Sequence, residues 1–152
     1  MAQQGSGYNL RIERDGDRER VFDVIRKKFV ALTPEEWVRQ QVIHYLLEDH
    51  RFPKALISVE KQLLVNGLTR RTDVVLYNHA GRPILIIECK APEIAINQSV
   101  ADQVARYNLA LQVPYLWVTN GERHAICRIS HSSGTWAWLP TLPDTETLIS
   151  AV

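Results

Sequence analysis

No stretch of this 152-residue chain is apolar for 18 residues running, so no segment is built to cross a membrane as a helix. The first residues, MAQQGSGYNL, lack a basic start followed by an apolar stretch, and we expect no secretion signal. Cysteine is scarce. Cys89 and Cys127 each sit inside an apolar run of strand character, which points to buried free thiols in a reducing cytoplasm rather than a disulfide. None of the five histidines (His44, His50, His79, His124, His131) stands at zinc-ligand spacing from either cysteine. There is no G-x-S-x-G nucleophile elbow. Charge of one sign is also lacking: a net charge of +1 neither requires nor excludes a polyanionic partner. Repeats and low-complexity tracts are absent.

What is present is an ordinary globular composition, 45% apolar and 23% charged. The length suits one domain with a single core, expected over residues 8–152, with a small, polar, disordered start over 1–7. Charge is uneven along the chain. Arg11, Arg14, Arg18, Arg20, Arg26, Lys27 and Lys28 crowd the first thirty residues, interleaved with Glu13, Asp15, Asp17, Glu19 and Asp23. Mixed charge weakens the field a phosphate would feel, so a solvated surface is the simpler reading of that segment.

Apolar periodicity divides the chain. Runs at 10–14 and 18–22 flank Asp15-Gly16 and predict a hairpin. Thr33-Pro34-Glu35-Glu36 opens a helix reaching about Asp49, with Thr33 at the N-cap and Glu36 at the third position of a capping box. Strands are predicted at 57–65, 69–77 and 82–90, separated by Asn66-Gly67 and by the loop Asn78-His79-Ala80-Gly81. A helix follows over 98–111, with Val100, Val104, Tyr107 and Leu111 as its buried stripe. Strands at 114–119 and 123–129 and a short edge strand at 136–139 complete the pattern. Trp117, Trp136 and Trp138 could stack on bases, but core or hairpin packing is the simpler role. The expected fold is α/β: a mixed β-sheet with an antiparallel meander, flanked by helices.

One strand carries chemistry. Ile84-Leu85-Ile86-Ile87 implies burial on both faces, and Glu88 and Lys90 then appear at its end. Period-two geometry puts Glu88 and Lys90 on one face and Cys89 on the other. Buried charges are costly unless paired or bound to metal. A four-residue loop over 78–81 pairs Tyr77 with Arg82 and sets Asp73 opposite Ile86, a diagonal neighbour of Glu88. A loop one residue longer would turn Asp73 to the opposite face. Two converging carboxylates suit Mg²⁺, with Mn²⁺ as a substitute, and Lys90 could orient water or neutralise developing charge. A structural Glu-Lys pair is the bland alternative for the bare E-x-K spacing.

These residues resemble the PD-(D/E)xK nuclease superfamily. The resemblance rests on R-T-D-V-V (71–75), I-I-E-C-K-A-P (86–92), D-Q-V-A-R-Y-N (102–108) and T-P-E-E-W-V-R-Q (33–40). The combination looks most like the N-terminal nuclease domain of type I restriction enzyme R subunits, over about 22–129. The resemblance implies a restriction-endonuclease-like sheet and Mg²⁺-dependent hydrolysis of DNA phosphodiesters. It makes Asp73 and Glu88 the metal-binding carboxylates and Lys90 the catalytic lysine. Gln103 and Tyr107 match a Q-x-x-x-Y element in which the glutamine orders the site, though core packing is the simpler role for Tyr107. Glu36 is the candidate for a further glutamate from the first helix, with the capping box as its rival role; Glu35 and Gln40 rank behind it. Arg70, Arg71, Tyr107 and Arg39 are the candidate nucleic-acid contacts, and for Arg39 an acidic partner or a plain surface position serves as well.

Type I R subunits continue into an ATP-driven translocase, but no G-x-x-x-x-G-K-[ST] phosphate loop occurs here. The chain is then a stand-alone relative, a protein working with separate subunits or a cut-out domain; the Met start and loosely patterned tail favour a complete small protein. DNA is the expected partner, with a C₂ homodimer or a separate helicase or specificity subunit as further possibilities. A binding module without turnover is the alternative function, and no base-reading set stands out in the sequence.

Overall fold

The computed structural model describes residues 7–65 and 67–151. The expectation for the N-terminal segment therefore falls, but for Gly7, outside the described residues, as does Asn66 of the Asn66-Gly67 turn. The hairpin near the start exists and gains a third strand. β1 (Ile12–Asp15), β2 (Arg18–Asp23) and β3 (Lys28–Ala31) form an antiparallel sheet of their own. Gly16 supplies the positive φ of the first turn. The third strand escaped prediction because Lys28-Phe29-Val30-Ala31 is too short to show a period.

Helix α1 (Pro34–His44) starts as its sequence dictates. Thr33 is extended and its hydroxyl accepts from the Glu36 N–H at 3.0 Å, with Pro34 in the first turn. One wider turn, Tyr45–Asp49, carries the helix to the expected end. The reciprocal half of the capping box does not form: the Thr33 N–H bonds to the Ala31 carbonyl, and the Glu36 carboxylate turns inward to arginines.

The two long strands expected at 57–65 and 69–77 are each broken in two. They become β4 (Ile57–Val59) and β5 (Gln62–Val65), then β6 (Leu68–Arg71) and β7 (Val74–Tyr77). β4 pairs with β7 and β5 with β6, in one register on both sides of the break. Glu60 takes a left-handed φ of 53° there, and the Glu60 N–H still bonds to the Asp73 carbonyl. The result is a single antiparallel ribbon kinked at 60–61 and 72–73. Nothing in the apolar pattern marks that kink.

β8 (Pro83–Cys89), β9 (Tyr115–Thr119), β10 (His124–Ser130) and β11 (Thr135–Leu139) complete a mixed sheet of order β11-β10-β9-β8-β7-β4. Only β8 and β9 run parallel. Ile84 to Cys89 are buried without exception, as the aliphatic run implied. One face packs Leu85, Ile87 and Cys89 against Val38, Ile43 and Leu46 of the first helical segment and Leu148 of α3 (Thr145–Ile149). The other packs Val75, Ile86, Leu116 and Cys127 against Ala105 of α2 (Gln98–Asn108) and Leu111 beyond it. Each large aliphatic so buried contributes roughly 1.5–3 kcal/mol. Both cysteines are free and lie on opposite faces of the sheet.

The buried stripe of α2 differs from expectation. Ala101, Ala105 and Asn108 face the sheet, Val104 is half-buried, and Tyr107 is 53% exposed. Small residues allow the close approach of helix to sheet, and the bulky ring turns outward. Core packing for Tyr107 is thereby overturned. Trp117 is a core residue, Trp136 is half-buried and Trp138 lies exposed on the edge strand. Among the described residues, no helix is long and apolar enough to cross a membrane.

Candidate active site

Asp73 reaches its place by a route the loop length alone would not give. Tyr77 pairs with Pro83, so the connection is one residue longer than expected and should reverse the facing of Asp73. A β-bulge between Leu76 and Tyr77 cancels the change. Below the bulge Val75 faces Ile86 and Val74 faces Ile87, which sets Asp73 level with Glu88 instead of Ile86. The loop is held by Asn78, whose side chain accepts from the Ala80 N–H at 3.0 Å and the Arg82 N–H at 2.9 Å.

At this level the kinked ribbon leaves β8, and a cleft of about 330 Å³ opens. Glu35, Arg39, Glu60, Asp73, Glu88 and Lys90 are among its walls. The Asp73 carboxylate spans the gap between the strands. Oδ2 accepts from the Cys89 N–H at 2.8 Å and Oδ1 from Arg39 at 3.0 Å. Glu88 receives Arg70 from β6. The Lys90 N–H continues the parallel ladder to the Thr119 carbonyl at 2.8 Å. Among the described residues, Lys90 is the one cation lining the cleft whose side chain makes no ion pair; Arg39 and Arg71 are both paired.

Behind the cleft lies a network of buried charge. Arg39 also binds Glu36 at 2.9 Å and Glu60 at 3.5 Å. Arg26 binds Asp23 at 2.8 Å, Glu36 at 3.0 Å and Glu60. Gln40 donates to Asp23 at 3.0 Å and Glu36 at 3.1 Å. Burial alone would raise the Asp23 pKa, but hydrogen bonds from the Arg26 backbone and guanidinium outweigh it and hold it low. Glu60 is likewise held low against desolvation, first by Arg71 and then by Arg39 and Arg26. Glu35 goes the other way: desolvation, then the Asp73 charge, lift it above the ordinary glutamate value, while Arg39 and Lys90 oppose them.

Asp73, Glu88 and Lys90 thus stand on one cleft. Glu36 does not line it; Glu35, one residue earlier, does. Arg39 is buried in the ion network, not on the surface. Arg71 is exposed and pairs with Glu60. Gln103 is exposed on α2 and is not among the cleft's walls. Tyr107, four residues on, carries the Arg70 guanidinium 3.9 Å from its ring centre. Sequence reasoning missed Glu60 altogether. The only signal for it is the strand break, which its own positive φ creates.

The donor chemistry fits Mg²⁺ in kind: two carboxylates beside a polar cleft, with room for water and phosphate oxygens. Among the described residues, no three His, Cys, Asp or Glu side chains form a cation-holding group. Asp73 and Glu88 would be the protein's share of such a shell, each having to loosen an arginine first.

Comparison with known proteins gives the class. The family model of the type I restriction enzyme R protein N terminus matches residues 34–143, and the chain belongs to that family. Among solved structures it is similar to a fragment assigned to an HsdR subunit of a type I restriction enzyme from Vibrio vulnificus YJ016. The identity is 20% and the TM-score 0.40, over 60% of this chain and 19% of that one. This chain spans about a fifth of that relative's length. No curated protein matches it.

Proposed function

We propose that this chain is a nuclease module of the type I restriction kind, which hydrolyses DNA phosphodiesters with Mg²⁺ at the cleft of Asp73, Glu88 and Lys90. The observation that carries the reading is the Lys90 ammonium, without an ion pair among the described residues, on one cleft with two carboxylates at the open end of β8. Asp73 and Glu88 would hold the ion. Bound there, it would supply Lewis acidity toward a phosphoryl oxygen and acidify a water. Lys90 orients the attacking water and neutralises charge that develops on the phosphoryl oxygens. The Cys89 N–H and Arg39 fix the Asp73 carboxylate in direction. Glu36 and Glu60 hold Arg39 in turn and Arg26 holds both of these carboxylates, so Glu36 and Arg26 position the site from behind the cleft. Arg71, exposed at the mouth, offers a contact to backbone phosphate.

Translocation and sequence choice would come from outside these 152 residues, a separate helicase or specificity subunit being one source. A homodimer would allow both strands to be cut. The arginine pairing of both carboxylates favours one rival, a DNA-binding module without turnover. Purified protein incubated with linear, supercoiled and single-stranded DNA plus Mg²⁺ or Mn²⁺ separates the two. Cutting that is lost in Asp73→Ala and Lys90→Ala supports the nuclease. Salt-dependent DNA binding with no metal-dependent cutting, or equal cutting by Lys90→Ala, overturns it.

A further inference from the structure

Arg70 sits between two partners that make different demands on it. One Nη donates to Glu88, and the face of the guanidinium lies over Tyr107, 3.9 Å from the ring centre. Its Nε is buried with no hydrogen-bond partner among the described residues. A buried N–H left unpaired is a cost the native contact does not recover. Arg39 resembles Arg70 in binding a cleft carboxylate and in an Nε without a partner among the described residues, but three carboxylates surround it, and Arg26 and Gln40 brace two of those. Arg70 has one carboxylate and an exposed ring. It also sits on β6, in the ribbon beyond the kink.

We propose that Arg70 is an exchangeable latch on the metal site, which occupies Glu88 until a backbone phosphate of the substrate takes the guanidinium over. This rests on the reading of the cleft as a metal-dependent nuclease site. A phosphate offers several strong acceptors to the fork and can satisfy the Nε–H that Glu88 leaves unpaired. Tyr107 serves as the platform that keeps the guanidinium at the cleft mouth in both states. Release of Glu88 restores a carboxylate to the cation and removes a positive charge from beside it. Cation and DNA then favour each other's binding, and by linkage the effect is equal in both directions. A cleft that binds its cation well only when DNA is present would not hold it idle. The competing role is a static strut tying β6 to β8 and α2.

The test is titration of the full chain with Mn²⁺ by calorimetry, in a Lys90→Ala background so that no DNA is cut. Arg70→Ala should bind Mn²⁺ more tightly than the parent without DNA, by on the order of tenfold, the value of one charge-assisted hydrogen bond. Tyr107→Leu should tighten it by a smaller factor. A short duplex should tighten Mn²⁺ binding in the parent and do so much less in Arg70→Ala. Equal Mn²⁺ affinity in parent and Arg70→Ala, abolished in both by Glu88→Gln, overturns the latch and leaves the metal site standing. Absence of Mn²⁺ binding in every form, with and without duplex, overturns both. Should Arg70→Ala fail to fold by circular dichroism, Tyr107→Leu decides: unchanged Mn²⁺ affinity there counts against the latch.

Discussion

Helix α1 separates two clefts that could hardly differ more. Glu35 and Arg39, one turn apart, face the polar cleft of about 330 Å³. Trp37 and Gln41, turned to the other side of the same helix, face a larger cleft of about 420 Å³ walled by Tyr45, Trp117, His124 and Leu142. The larger one is the more apolar and more like an ordinary ligand pocket. Desolvation lowers the pKa of its ionisable ring, His124, whose Nδ1 accepts from Trp117 and meets the Thr119 hydroxyl. The smaller one gathers the carboxylates, Lys90 and the strand ends. Size and apolarity therefore point away from the proposed site. What marks the site is charge that the fold has gone out of its way to bury and brace.

That contrast can be broken by substitution on either side of the helix. Lys90→Ala should lower metal-dependent cleavage roughly a hundredfold or more, the usual scale for a lost charge-stabilising group. It should leave thermal stability nearly unchanged, because the lysine side chain makes no ion pair among the described residues. Trp37→Phe, on the aromatic side, should leave cleavage at its basal rate; a loss comparable to Lys90→Ala would place chemistry in the wrong cleft.

Arg39→Ala should produce the largest change in stability. It removes the one guanidinium bound to Asp73 among the described residues and one of two bound to Glu36, at a cost of about 3–5 kcal/mol for a broken buried pair. For a chain of this size that lowers the melting temperature by roughly 10 °C. A shift of only a degree or two, read by calorimetry, would show that the network carries little.

Acid offers a subtler probe. Asp23 and Glu60 titrate below their ordinary values in the fold, so their stabilisation is complete above the ordinary carboxylate range. It is lost as pH falls through their lowered folded values. Glu35 is shifted upward, so its protonation favours the fold as pH falls and offsets part of that loss. Melting temperature should hold steady from neutrality to about pH 5 and decline below about pH 4. An Arg26→Ala variant should show a shallower decline, and an unchanged slope would contradict the assigned cause. Smallest of all, Thr33→Ala should cost about 1 kcal/mol, through loss of its bond to the Glu36 N–H.

The parts legible in the sequence were those with a local cause. Thr33-Pro34 gave the start of α1, the aliphatic run gave β8 as a strand buried on both faces, and Asn-Gly spacing gave the ribbon. Glu88 and Lys90 followed from period two. Asp73 was expected within a continuous strand and level with Ile86; it lies at the kink just before β7 and level with Glu88. A longer loop and a bulge compensate each other there, and neither has a signature in the apolar pattern. Which of Glu35 and Glu36 lines the cleft was hidden for a different reason. Both fit a helix start, and only the arrival of Arg26 and Arg39 from elsewhere decides which carboxylate is drawn inward. Tyr107 looked apolar enough for the core, but alanines at 101 and 105 take the close contact. Long-range charge pairing and helix-to-sheet distance are tertiary properties, and a single sequence carries them only faintly.

The most direct test of the central claim is the anomalous density of Mn²⁺ in a crystal of the protein grown with a short DNA duplex and soaked with the ion. A peak within ligand distance of both Asp73 and Glu88, with Arg70 moved off Glu88, is the predicted result. At saturating Mn²⁺, both arginines still in place and no peak in that cleft would contradict it.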